Sequence, residues 1–179
     1  NGAYMIDSAQ AARLADIVLV EKTDKKGNVR KIVNRECVGR DAKVILQKLG
    51  ITVSDDIRCI ICETDFNHPF VQEELMMPIL PIVRVDNIDE AIDLAVKAEH
   101  GNRHTAHMHS KNVDNLSRFA REVETTIFVK NAPSYAGIGF GGEGHATFTI
   151  AGPTGEGITS ARSFTRQRRC VMAESFRII

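Results

Sequence analysis

Two adjacent carboxylates, Glu73 and Glu74, stand inside the stretch ETDFNHPFVQEELMMPILPIVR, from Glu63 to Arg84. An ionised carboxylate is a pure acceptor with two oxygens, suited to holding donor groups of a ligand. The residues before the pair are turn-prone (Thr64, Asp65, Asn67, Pro69), and the apolar run after it is broken by Pro78 and Pro81. Asn and Asp favour turns through side-chain bonds to nearby backbone, and Pro ends helices. The segment ILPIVRV then reads as a buried strand. The carboxylates therefore sit where a loop meets the core, a common setting for functional groups.

Other groups invite sharper readings that the pattern does not sustain. Gly137, Gly139 and Gly142 match GxGxxG, but a dinucleotide fingerprint needs a strand before it and a helix starting within it. His145 to Ile150 reads as extended instead, so a Gly-rich structural loop is expected. Gly152 and Gly157 have Walker A spacing, yet Ile158 occupies the position of the phosphate-binding Lys. Cys59 and Cys62 form CxxC within an apolar strand, where odd spacing puts them on opposite faces and nothing lowers a thiol pKa. They read as structural cysteines. His100, His104, His107 and His109 are dense, and His107 and His109 would share one face of a strand. No second cluster completes a metal set, so they read as polar residues at a sheet end, lining a cleft. Arg166, Arg168 and Arg169 read as a solvated, edge-blunting face, with an anionic cofactor or a neighbouring subunit as the alternative.

The elements that would position these groups alternate. Apolar spacing predicts helices over Ser8 to Val20, with Ser as a cap, Asp41 to Leu49, Ile88 to Glu99 and Asn112 to Val123. Strands are expected at Ile57 to Cys62, Thr105 to His109 and Thr126 to Lys130. The charged segment Glu21 to Arg35, with Lys26-Gly27-Asn28 as a turn, reads as an exposed loop or hairpin. The order implies an α/β fold, a mainly parallel sheet with helices on both faces. Beyond Asn131 lie a Gly-rich loop region, a short helix within Ile158 to Phe164, and a terminal strand within Arg166 to Ala173.

The 179 residues suffice for one domain with a real core, and 43% apolar content excludes disorder. Lys plus Arg equals Asp plus Glu at 23 each, which argues against a nucleic-acid or membrane-surface protein. No apolar run approaches the roughly 20 residues that span a bilayer. Four cysteines are too sparse for a disulfide scaffold and point to a reducing, cytoplasmic setting.

Glu74, four residues before Pro78 with apolar residues between and a strand after, resembles a motif of the aldehyde dehydrogenase superfamily. AEHGNRHTAHMHS (98–110), TTIFVKNAPSYAGIGFGGEG (125–144) and FTIAGPTGEGITSARSFTRQRRCV (148–171) resemble, more narrowly, its CoA-acylating propionaldehyde and acetaldehyde dehydrogenases from the propanediol and ethanolamine utilisation microcompartments. The likeness covers most of the chain. It implies an enzyme that converts an aldehyde, NAD and coenzyme A into acyl-CoA and NADH through a cysteine thioester. It implies that Glu74 holds the ribose hydroxyls at the nicotinamide end of NAD, and that Asn131, Ser134 and Tyr135 fall in the loop lining the aldehyde pocket.

The resemblance also carries a departure. In the family the nucleophile lies upstream of the part resembling Asn1 onward, and none of the four cysteines matches it. The chain, which opens without a Met, is therefore expected to be the C-terminal part of the enzyme, inactive alone and with no catalytic residue or metal site of its own. Residues 1–157 would form a partial catalytic lobe and 158–179 a tail whose strand pairs with a second subunit. The implied partners are a small aldehyde, further copies of the chain and microcompartment shell proteins, with no nucleic acid or membrane. The implied place is the cytoplasm, inside a bacterial microcompartment. A non-catalytic assembly module, or an α/β domain binding a phosphorylated ligand through the Gly-rich region, stands as the alternative.

Overall fold

The computed structural model describes residues 2–23, 26, 27, 29–143, 147, 150, 151, 157–169, 171 and 173. They divide into two compact units, Asn1–Leu94 and Ala95–Ile179.

The first unit is built on a parallel sheet in the order β1-β4-β5. These strands are β1 (Ala3–Ile6), β4 (Cys59–Glu63) and β5 (Ile79–Ile82). Ala3 lies opposite Cys59, and Ile60 opposite Ile79. Between β1 and β4 come α1 (Ser8–Val18), a hairpin of β2 (Leu19–Thr23) and β3 (Val29–Val33), and α2 (Ala42–Lys48). Helix α1 forms because Ala11, Leu14, Ala15 and Val18 recur on one face, and all four are buried. Its cap is Asp7 rather than the expected Ser8. Asp7 Oδ1 accepts from the Gln10 amide at 2.7 Å, and Gln10 Oε1 accepts from the Asp7 amide at 2.9 Å. That reciprocal pair satisfies two end donors, which a Ser one position later could not.

The apolar faces of α1 and α2 meet β4 in one core of Leu14, Val18, Ile45, Leu46, Ile60 and Cys62. Gly50, at φ +80°, ends the turn after α2. The charged segment is a hairpin, with Glu21 opposite Lys31 and Lys31 Nζ 3.3 Å from Asp16. Two expectations change. The four residues of β1 gave too short a pattern to find. The segment ILPIVRV is not uniformly buried: Ile79 is buried but Leu80 is 55% exposed. Strand β5 ends the sheet, where Pro81, which has no donor for a further ladder bond, is tolerated.

The division between the units falls within α4 (Ile88–Ala98). The second unit holds β6 (Thr105–Met108), α5 (Val113–Val123) and β7 (Ile127–Lys130). Strands β6 and β7 pair in parallel, Thr105 opposite Ile127 and Met108 opposite Lys130. Asn112 caps α5, its Oδ1 accepting from the amides of Asp114 at 2.9 Å and Asn115 at 3.1 Å. Leu116, Phe119 and Val123 form the buried stripe, and Phe119 meets Phe128 of β7 edge-on with ring centres 5.5 Å apart.

After β7 the chain makes a 3₁₀ turn over Ser134–Ile138, a two-residue pairing of β8 (Ile150–Ala151) with β9 (Gly157–Ile158), and a second 3₁₀ turn over Ala161–Phe164. The helix expected within Ile158 to Phe164 is reduced to that turn. Residues 166–169 carry no regular structure and are exposed; Cys170 and Met172 of the expected terminal strand, and His145, lie outside the described residues. Among the described residues no helix is long and apolar enough to cross a membrane.

Candidate functional site

In the first unit the loop after β4 is built by side chains bonding to local backbone. The Asn67 amide donates to Asp65 Oδ1 at 2.8 Å. A short helix, α3 (Pro69–Gln72), follows where only a loop was expected. His68 is its cap, with Nδ1 accepting from the Phe70 amide at 3.2 Å, and Pro69 takes the first helical position, where its missing N–H costs nothing. Gln72 Nε2 donates back to the Phe66 carbonyl at 2.5 Å. The Glu73 amide closes the turn on the Pro69 carbonyl at 2.9 Å.

Glu73 and Glu74 then stand exposed between two buried anchors, Phe70 at 3% and Leu75 at 6% exposure. Met76 adopts φ +53°, and its carbonyl accepts from the Gly39 amide at 3.1 Å. The Glu74 carboxylate makes no hydrogen bond or ion pair among the described residues. It is an acceptor on a loop pinned at both ends, able to take two neighbouring hydroxyls.

In the second unit, polar residues gather at the carboxyl ends of β6 and β7. Ligands of open parallel sheets bind at that end of the strands. Asn131, at φ +53°, donates from Nδ2 to the Ser110 carbonyl at 2.9 Å and accepts at Oδ1 from the Ser110 amide at 2.7 Å. Its own amide donates to the Met108 carbonyl at 3.0 Å. Ser134 Oγ lies 3.2 Å from His107 Nδ1. Tyr135 is 65% exposed and meets Phe140 edge-on at 6.5 Å. The structure thus brings Asn131, Ser134 and Tyr135 into one loop and adds His107 to them. Glu74 belongs to the other unit.

His107 and His109 stack edge-on at 5.7 Å. Among the described residues no group of three or more His, Cys, Asp or Glu is placed to hold a metal. The glycines of GxGxxG serve close packing. A Cβ on Gly137 would lie 2.2 Å from Ile127 Cγ2, and one on Gly142 2.7 Å from the Ala136 Cβ. Gly139, at φ +90°, ends the 3₁₀ turn. The cysteines fit the structural reading. Cys37 and Cys62 are fully buried, and burial pushes the thiols of Cys59 and Cys62 above their ordinary range. His68 escaped the sequence reading, and His107 entered it only as one of the clustered histidines at a sheet end, without its Ser134 contact. The His-Pro pair before a short apolar turn was the available signal for His68; the His107–Ser134 contact spans 27 positions and left none.

A model of the aldehyde dehydrogenase family matches residues 58–167. The chain belongs to that family. It is 51% identical over 177 residues to the acetaldehyde dehydrogenase (acetylating) EutE of Salmonella typhimurium, covering 99% of this chain and 37% of that protein. It is 46% identical to the propanal dehydrogenase (CoA-propanoylating) of the same organism, covering 99% of this chain and 36% of that one. A solved propionaldehyde dehydrogenase from the Clostridium phytofermentans fucose utilisation bacterial microcompartment superposes with a TM-score of 0.82 at 54% identity, over 98% of this chain and 38% of the other. The Rhodopseudomonas palustris propionaldehyde dehydrogenase with bound propionyl-CoA gives 0.83 at 57%, over 96% and 36%. The chain spans little more than a third of the length of these relatives.

Proposed function

We propose that this chain is part of a CoA-acylating aldehyde dehydrogenase. The enzyme converts a short-chain aldehyde, NAD and CoA into acyl-CoA, NADH and a proton. The observation that carries this reading is identity of about half, over nearly the whole chain, to relatives whose names specify acetylating or CoA-propanoylating dehydrogenases.

The chemistry divides into steps that need different groups. A cysteine thiolate adds to the aldehyde carbonyl, the hydride leaves for the cofactor, and the acyl group stays on sulfur as a thioester. The CoA thiol, losing its proton, then displaces the cysteine. Cys37, Cys59 and Cys62 are unsuited to the first step because they are packed in the core or held as neutral thiols by burial. Cys170 lies outside the described residues. The family resemblance, in which the nucleophile lies upstream of the part matching Asn1 onward, supports a nucleophile elsewhere in the full-length enzyme, and the proposal is that the chain alone is inactive.

What this chain contributes is positioning. A nicotinamide dinucleotide would supply the hydride acceptor, and Glu74 would hold its adjacent ribose hydroxyls with its two acceptor oxygens. Tyr135 offers an aromatic wall for a short apolar chain, and Asn131 and Ser134 shape the loop around it. His107, whose Nδ1 lies beside Ser134 Oγ, is the candidate base for the thiol proton of CoA. Residues 1–157 form part of the catalytic lobe, and 158–179 an oligomerisation tail. The microcompartment named for one solved relative supports a place within a bacterial microcompartment; the cytoplasm and contact with shell proteins are part of the same proposal.

The test is the rate of NADH formation from acetaldehyde or propionaldehyde by the full-length polypeptide, with and without CoA. The expected rate depends on CoA. Equal turnover without CoA, releasing a free carboxylic acid, would overturn the acylating assignment.

A further inference from the structure

We propose that His68 is a proton-sensitive positioning residue for Glu74: its neutral ring caps the short helix that leads into the carboxylate loop, and protonation releases it. The inference rests on the reading of Glu74 as the ribose-binding group. It goes beyond that reading by assigning what holds Glu74 in place and what lets go of it.

The geometry places one acceptor at a decisive point. Helix α3 has four residues, and a single helical turn does not hold itself together without external support. Its support is local. The Phe70 amide donates to His68 Nδ1 at 3.2 Å. The imidazole also meets the Phe70 ring edge-on at 4.7 Å, and Phe70 is buried in the core. The His68 carbonyl accepts from Val71 at 2.9 Å and from Gln72 at 3.3 Å, and Glu73 closes on Pro69. Only the four residues of α3 separate His68 from Glu73, so the direction in which the carboxylates leave the core is set by this turn. Because Nδ1 accepts, the neutral ring carries its proton on Nε2.

Protonation removes the acceptor. Both nitrogens of imidazolium are donors, and Nδ1–H would then face the Phe70 N–H. The charged groups around the ring settle which form prevails. His68 lines a cavity of about 480 Å³ with Glu63 at the end of β4, Thr64 and Asp65 on its own loop, Arg84 beyond β5 and Ser8 at the start of α1. Arg84 and Glu63 are spent on each other at 2.8 Å. Asp65 favours the cation, but burial is the larger effect and holds the imidazole below its ordinary range. The cap is therefore intact at neutral pH. For a group whose folded value is depressed, the stabilisation is present above the ordinary value of 6.5 and is lost as the pH falls through the folded value. Acid releases the loop; base does not.

The experiment is the pH profile of single-turnover hydride transfer in the full-length enzyme, from about pH 5 to pH 8, for wild type, His68→Asn, His68→Ala and Glu74→Gln. Asn supplies a cap oxygen that does not titrate. The wild type is expected to lose about fivefold in the hydride step on the acid side, the equivalent of one lost cap. His68→Asn should lack that acid limb, and His68→Ala should be slow throughout. The Phe70 backbone amide, followed by NMR, should shift with the titration of His68. An acid limb in His68→Asn as deep as in wild type, or a Phe70 amide that ignores pH, overturns the proposal for His68. If the amide shifts but Glu74→Gln transfers hydride as fast as wild type, the Glu74 reading falls and takes the positioning role with it. A still amide beside an impaired Glu74→Gln overturns His68 alone.

Discussion

The Asn131 carboxamide holds both backbone groups of Ser110, taking its amide at 2.7 Å and giving to its carbonyl at 2.9 Å. One side chain thereby ties the segment leaving β6 to the segment leaving β7. The residue must also accept φ +53°, which Asn tolerates better than most. Asn131→Ala loses both bonds and keeps the strained backbone. It should destabilise the protein by about 2 kcal/mol. Asn131→Asp retains only the acceptor and sets a carboxylate against the Ser110 carbonyl, so it should cost about 1 kcal/mol. Urea unfolding of the two variants checks the order; an Asp variant less stable than the Ala variant would contradict it.

Gly137 is predicted to be irreplaceable on steric grounds. Its absent Cβ would press on Ile127 of β7, a rigid β-branched neighbour in the small core of Ile127, Val129 and Ala136. Gly137→Ala should destabilise by roughly 1–3 kcal/mol. Gly141, by contrast, has open space around its would-be Cβ but sits at φ +74°, so any penalty there comes from backbone strain. Thermal melts of both variants separate the two causes when Ile127→Ala is added: only the Gly137→Ala defect should be partly relieved.

The buried thiols give a stability signature at alkaline pH. Burial raises the folded pKa of Cys59 and Cys62, and the charge of a neighbouring Cys59 thiolate adds to the rise at Cys62. The unfolded chain therefore loses these protons first. Their contribution to stability is complete below the ordinary thiol value of about 8.5 and declines as the pH rises above it. Chemical denaturation at alkaline pH should show that decline, and Cys59→Ser/Cys62→Ala should flatten it.

The exposed stretch 165–169 carries no regular structure, and Phe164 before it is 72% exposed. A tail of this kind gains order by pairing with another edge. Deleting residues from Thr165 onward should shift the full-length protein towards smaller assemblies in analytical ultracentrifugation. An unchanged distribution would remove the tail from self-association.

What the sequence revealed and concealed follows from the range of each interaction. Helices α1 and α5 were legible because their buried stripes repeat over 11 residues each, and α4, of the same length, because its apolar positions recur at helical spacing, although only Ile92 among them is buried. The hairpin was legible from Lys26-Gly27-Asn28. Strand β1 was hidden because four residues cannot display a period, and its strand character comes from pairing with β4, more than 50 positions away. The cap lies one residue before the expected Ser8 because Asp7, not Ser8, stands three positions before Gln10 and closes a capping box with it. The role of the glycines was legible only in the negative: the sequence argued against a phosphate loop, but the Ile127 contact needs the fold. Glu74 and the Asn131 loop emerged through a family resemblance. Composition and periodicity alone would have left Glu74 an exposed loop carboxylate.

The central claim is that an enzyme containing this chain transfers the acyl group of a short aldehyde to CoA while reducing NAD. The most direct measurement supplies the full-length polypeptide with propionaldehyde deuterated at the aldehyde carbon, NAD and CoA, and analyses the products by mass spectrometry. The prediction is propionyl-CoA and deuterium-labelled NADH in equal amounts. Labelled NADH accompanied by free propionate in place of the thioester, or no transfer of deuterium to the cofactor, would contradict it.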